Sequence, residues 1–220
     1  TSSRETDLYY LRTIGDSLKI RETLKYKNKI TIIGAGATGS RVFASLIDLG
    51  ITNIDVFDFD TVESHNLANQ IYLSKHIGLP KVEALKDYYY IKTGSYAPDT
   101  MRFFNERVTG ISGIEPFSFV YLLTDTMSSR KWITESIFES IDLKEIGPIA
   151  IVETRMGPNY GELYFFDPWL TKDREEWTAT LFDDDASTPT TFPFSVIVLV
   201  TFVLTKISAP FFFAWSAKNL

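Results

Sequence analysis

Residues 29–50, KITIIGAGATGSRVFASLIDLG, constrain the fold more than any other stretch of this chain. A β-branched run ends in Gly34-x-Gly36-x-x-Gly39, and the helical stretch after it puts Val42, Phe43, Leu46 and Ile47 on one stripe closed by Gly50. Strand, glycine turn and helix in that order form a phosphate-binding fingerprint. The first glycine makes the tight turn, the second leaves bare backbone against a phosphate, and the third lets the helix approach the strand. The helix N-terminus adds free N–H groups and the positive end of a dipole. The next strand, NIDVFDFD, carries Asp58 near its end, where a carboxylate accepts from ribose hydroxyls. The short connection makes this a parallel βαβ crossover.

Further along, Pro80 stands in the first turn of a helix that faces Val82, Leu85 and Tyr89 inward. MRFFNERV reads as a third strand, and FSFVYLLTD as a central strand buried on both faces. Ser128 or Ser129 caps a helix carrying Trp132, Ile133 and Ile137, and IAIVET and GELYFF supply two more strands around a turn-rich connection. Residues 167–191 are polar and acidic with few periodic signals and read as a long crossing loop. The pattern predicts an α/β fold: a doubly wound, mainly parallel Rossmann-like sheet over 29–166. An N-terminal helical arm (1–28), with Leu8, Leu11, Ile14 and Leu18 at helical spacing, precedes it; the crossing loop and an apolar C-terminal helix (167–220) come after it.

Composition narrows the partners. The net charge of −6 and the lack of any basic run argue against nucleic acid. The absence of cysteine excludes thiolate zinc sites and a thiol nucleophile on this chain. The apolar run 192–205 is shorter than the roughly 20 residues that span a bilayer as a helix, and Lys206 and Pro210 interrupt the sequence beyond it. It reads as a core or subunit-interface helix, so no membrane partner is expected. The N-terminus lacks an apolar signal-peptide region. A cytoplasmic homodimer is the expectation.

The glycines and Asp58 alone fit an NAD-dependent oxidoreductase equally well. The next motifs do not, because DFDTVESHNLANQ leads to IGLPKVEA. This series resembles the ubiquitin-activating, ThiF, MoeB and HesA superfamily, in which Asp-x-Asp-x-Val leads to Asn-Leu-x-Arg-Gln and then Gly-x-x-Lys. The resemblance covers residues 29–155. It implies ATP- and magnesium-dependent adenylation of a carboxylate, usually the C-terminus of a ubiquitin-like protein or a peptide. On that resemblance Asp58 holds the ribose. Gly34, Gly36, Gly39, Asp60, Asn66 and Gln70 line the ATP site, and Lys81 contacts phosphate. Asp125 in LLTDTMSSR positions Mg2+, with Arg130 on the adjoining helix. Attack of one anion on another calls for cation clamping and in-line positioning, and magnesium suits a single carboxylate plus phosphate oxygens.

Departures from the family pattern matter as much. Asn69 stands where the family has arginine, so one cationic contact is missing. Arg12 or Arg4 of the arm is the candidate replacement, which places Arg12 beside Asp125, Lys81 and Asn69 in the expected catalytic set. The family's Cys-x-x-Cys zinc site and transfer cysteine are absent, and Thr190 and Thr191 read as loop residues. Asn69 also keeps open a catalytically reduced scaffold subunit. His65 reads as structural or solvent-facing, and residues 183–185 as a solvated acidic loop. Glu153 and Arg155 are open between a cleft position and a structural one.

Overall fold

The computed structural model describes residues 29–157 and 160–184. The N-terminal arm with Arg4 and Arg12, and the apolar C-terminal region with Thr190 and Thr191, lie outside the described residues.

Six strands form one sheet in the order β3-β2-β1-β4-β5-β6. They are β1 (Ile30–Ile33), β2 (Ile54–Phe57), β3 (Arg102–Phe104), β4 (Phe119–Leu122), β5 (Ala150–Gly157) and β6 (Tyr160–Phe166). The first five run parallel, and β6 returns antiparallel to β5 at one edge. Among the described residues four α-helices lie between or after them: α1 (Ala37–Asp48), α2 (Lys81–Thr93), α3 (Met127–Lys144) and α4 (Thr171–Thr178).

The alternation of side chains along each strand explains the double winding. Ile30 and Ile32 of β1, Phe119 and Tyr121 of β4, and Ala150 and Val152 of β5 pack with Val42, Phe43 and Leu46 of α1 and Val82 and Leu85 of α2. The intervening residues Ile33, Val120, Leu122 and Ile151 face the opposite way and pack with Ile133, Ile137 and Ile141 of α3 and Trp177 of α4. Strands apolar at every position need a helical layer on both faces, which the run FSFVYLL announced.

Most element boundaries reflect local chemistry. Gly50 lies just past α1 at φ +73°, and Gly94 closes α2 at φ +71°, conformations a Cβ disfavours. The α3 cap is Thr126, whose side chain accepts from the Ser129 N–H, rather than Ser128 or Ser129 themselves. A second correction concerns residues 167–184: α4 forms inside the stretch read as a crossing loop. Its only fully buried side chain is Trp177, 1% exposed, too little apolar periodicity for the sequence pattern to reveal. Trp177 stacks on Phe166 at 5.2 Å and donates its indole N–H to Glu153 at 2.5 Å.

Two glycines fix how α1 approaches the sheet. A Cβ on Gly34, at φ +100°, would lie 2.6 Å from the Leu123 carbonyl oxygen, and one on Gly39 would lie 1.8 Å from the Gly34 oxygen. Both clashes are with backbone, which has no rotamer to escape into. Gly39→Ala is therefore expected to destabilise the fold by at least about 2 kcal/mol, at the upper part of the overpacking range, read as a lowered urea midpoint with unchanged slope.

Candidate functional site

The sheet order reverses between β1 and β4: the chain winds outward from β1 to β2 and β3 on one side, and from β4 to β5 on the other. Crevices in such sheets open at the carboxyl ends of the strands flanking that switch point. There the glycine turn succeeds β1, Asp58 succeeds β2, and residues 123–126 succeed β4.

Asp58 is the hub. It is 8% exposed. One carboxylate oxygen accepts the Ala35 N–H at 2.6 Å, and the other accepts the Asp60 N–H at 2.8 Å. Burial pushes the Asp58 carboxyl above its ordinary value of 3.8, against the pull of those two N–H donors and of the Lys81 charge. Ala35 is held from its other side as well, since its carbonyl accepts from the buried Tyr72 hydroxyl at 2.7 Å.

Tyr72 comes from the loop 60–81, the segment holding Asn66, Asn69 and Gln70. Its two ends are tied together: Val62 N–H donates to the Leu79 carbonyl at 2.8 Å, Gly78 N–H to the Val62 carbonyl at 2.8 Å, and Lys81 N–H to the Asp60 carbonyl at 2.9 Å. Inside it, the Asn66 side-chain oxygen accepts from Glu63 N–H at 2.9 Å and so shapes the 3₁₀ turn Ser64–Ala68. Buried His76 fixes the second half. Its Nδ1 accepts from Leu73 N–H at 3.1 Å, which leaves Nε2–H to donate to Asp87 at 2.8 Å. The loop delivers Lys81, whose side chain is 8% exposed and whose ammonium sits 2.7 Å from the carboxylate of half-exposed Asp60.

Among the described residues, Asn69 Oδ1 and Gln70 Oε1 of this loop and Thr124 Oγ1 of the segment after β4 are buried and meet no hydrogen-bond partner, as do Thr31, Ser40 and Ser118. Each costs roughly 1–3 kcal/mol unless a ligand or water meets it. Among the described residues a Cβ on Gly36 would meet nothing within 4 Å, so space is open at the start of α1, where backbone N–H groups and the helix dipole favour an anion.

Asp125 is exposed at the tip beyond β4, on the segment whose backbone packs against Gly34. Arg130 holds this tip by donating to the Thr124 carbonyl. Among the described residues no group of three His, Cys, Asp or Glu side chains could hold a metal ion. One carboxylate suits a magnesium ion that completes its shell with phosphate oxygens and water.

Some expectations are corrected. Glu153 and Arg155 do not serve the cleft as free groups: both are buried, and they pair with each other at 2.6 Å. Arg130 and Trp177 complete the partners of Glu153, and Arg155 also donates to the Thr180 carbonyl at 2.6 Å. Burial draws the Arg130 guanidinium down from its ordinary value, with Glu153 opposing. Asp184 is not a solvated loop acid but caps the start of α3, accepting from Met127 N–H and, at 3.2 Å, from Ser128 N–H. His65 is solvent-facing, 3.4 Å from Glu63. Sequence reading missed Tyr72, Thr124 and Asp184; the first two lie beside recognised motifs, while Asp184 acts across 57 residues and left no local signal.

Together these features define a doubly wound α/β protein whose glycine turn, Asp58 and the tip after β4 stand at the carboxyl ends of the strands around its switch point. The ThiF family profile matches residues 9–206, and the chain belongs to the ThiF family. Among curated relatives, it is 26% identical over 60% of its length to the NEDD8-activating enzyme E1 catalytic subunit of Dictyostelium discoideum, covering 30% of that protein. It is 24% identical over 71% of its length to the adenylyltransferase and sulfurtransferase MOCS3 of Anopheles gambiae, covering 37% of it. The chain thus spans well under half the length of these relatives. Among solved structures, E. coli MccB with ATP superposes with a TM-score of 0.63 at 14% identity, over 87% of this chain and 58% of that one. PaaA superposes with a TM-score of 0.60 at 18% identity, over 87% of this chain and 67% of that one. Both likenesses concern the fold.

Two outcomes test the site. Gly36→Val is expected to leave stability within about 1 kcal/mol of wild type while removing the thermal shift produced by ATP with magnesium. The second concerns Asp58, which binds its proton more tightly folded than unfolded. It therefore contributes stability at low pH that is lost as pH rises from 3.8 through its folded value. Asp58→Asn should flatten that fall, seen as a pH-dependent difference in urea midpoint between wild type and variant.

Proposed function

We propose that this chain binds ATP at the β1 turn and adenylates a carboxylate, the C-terminus of a peptide or of a ubiquitin-like protein. The observation that supports this reading is the hydrogen bonding of Asp58 to Ala35 and Asp60, which ties the glycine turn after β1 to the loop that carries Asn69, Gln70 and the buried Lys81. Membership of the ThiF family supports it, as do relatives whose names describe activating enzymes and an adenylyltransferase.

In this reading the acceptor carboxylate oxygen bonds to the α-phosphorus, the bond to the β-phosphate bridging oxygen breaks, and pyrophosphate leaves with the electron pair. No proton needs to move. The chain has to position two anions and neutralise charge as it shifts outward. Gly36 and the N-terminus of α1 accept the phosphates, and Asp58 orients the ribose through its remaining lone pairs. Lys81, prepaired with Asp60, sits in a low-dielectric pocket where its charge acts strongly on a phosphate. Asn66 shapes the loop from which Asn69 and Gln70 meet the nucleotide. Asp125 is the residue that would hold magnesium, which supplies Lewis-acid polarisation of the phosphates when bound.

Asn69 cannot neutralise charge as the family's arginine does. In this reading Arg12 of the arm replaces it, across a homodimer. The rival, a scaffold subunit that binds ATP without turning it over, rests on the same residue. ATP–pyrophosphate exchange in the presence of peptides with free C-termini separates the two. Exchange is expected in wild type and lost in Asp125→Ala, an exposed position whose replacement leaves the fold intact. ATP binding without exchange for any peptide would favour the scaffold, and full exchange by Asp125→Ala would remove it from the metal role.

A further inference from the structure

One cation at the cleft edge has no task in the adenylation scheme. Arg107 lies three residues beyond the end of β3, and its guanidinium carbon sits 4.1 Å from the centre of the Phe59 ring. Phe59 stands between Asp58 and Asp60, yet it is 49% exposed, while Asp58 beside it is buried. Arg107 is also exposed. Among the described residues its one interaction is with this ring, and no carboxylate lies in ion-pair range. An aromatic ring left half in water and roofed by a guanidinium that no described carboxylate pairs contributes little to folding. It does form a flat, cationic surface at the rim of the crevice.

Its position along the sheet gives that surface a meaning. The exits of β2 and β3 are joined: Asp58 N–H donates to the Phe104 carbonyl at 3.2 Å, and the Phe57 and Phe104 rings stack at 4.4 Å. Parallel neighbours lie about 4.8 Å apart. Moving along the carboxyl edge from β1 to β2 to β3 therefore passes, in that order, the open glycine turn, the Asp58 carboxylate and then Arg107 on Phe59. A nucleotide with phosphates at the first and ribose at the second carries its base to the third. Guanidinium planes stack on nucleobases, and the ring beneath holds the guanidinium by cation–π attraction.

We propose that Arg107, seated on Phe59, is the platform on which the base of the bound nucleotide stacks. This rests on the nucleotide reading of the crevice and adds the base-contacting residues to it. Recognition through a π-face tolerates different bases, so the larger ring of a purine gains over a pyrimidine by contact area rather than by edge-reading.

Calorimetric titration of the 220-residue chain with ATP and with inorganic tripolyphosphate, each with magnesium, tests it. Arg107→Ala is expected to weaken ATP about tenfold or more while leaving tripolyphosphate affinity at the wild-type level. Arg107→Lys keeps the charge without the plane, and it should lose most of the same ATP affinity. Unchanged ATP affinity in both variants would overturn the platform while leaving the nucleotide site standing. A parallel loss of ATP and tripolyphosphate would overturn it too, by making Arg107 a phosphate or structural group. If wild type binds neither ligand, the nucleotide reading itself fails and the platform with it. A melting temperature unchanged from wild type without ligand keeps misfolding out of the comparison.

Discussion

The crevice depends on a buried carboxylate whose hydrogen bonds are to backbone. Asp58 accepts from Ala35 and Asp60, and so pins the glycine turn after β1 to the chain leaving β2. A carboxylate withdrawn from water is costly unless its lone pairs are met, and here meeting them also sets the shape of the phosphate cradle. The Tyr72 hydroxyl grips the carbonyl side of Ala35, so the two peptide units that flank this residue are fixed by side chains from different segments. Neither the strand–turn–helix unit nor the loop 60–81 would hold its position without the other.

The fold was largely legible because its signals are local and periodic. Apolar residues at every position of β4 demanded helices on both faces, and the stripe Val42, Phe43, Leu46, Ile47 declared the inner side of α1. The features that escaped were non-periodic. Helix α4 carries one buried side chain and is anchored by Trp177 on Phe166 and Glu153, contacts formed with strands earlier in the chain. The same applies to the Glu153–Arg155 pair. Spacing put both on one strand face, but only packing reveals that Arg130, Trp177 and the Thr180 carbonyl consume their hydrogen-bonding capacity.

The cleft was legible in its residue types more than in their state. Spacing brought Asp58, Asp60, Asn66, Gln70 and Lys81 into one motif series, and in the fold they or their immediate neighbours share one loop and one strand end. It could not foretell that Lys81 is already paired with Asp60, or that Asn69 and Gln70 lie with buried, unmet oxygens. Those are properties of burial, which depends on the closure of the loop through Val62, Gly78 and Lys81. Arg130 is a related case. A residue on the helix after β4 turns inward and grips the Thr124 carbonyl, so the buried ionic cluster behind the sheet steadies the tip that bears Asp125.

Helices α1 and α3 both begin at this crevice, but their electropositive tips are in different states. Among the described residues the tip of α1 faces open space at Gly36, whereas that of α3 is capped by the chain's own Asp184. The two helix starts are therefore electrically unlike, one left positive and one already neutralised, and under the proposed reading that difference would orient a polyanion head to tail before any side chain reads its identity.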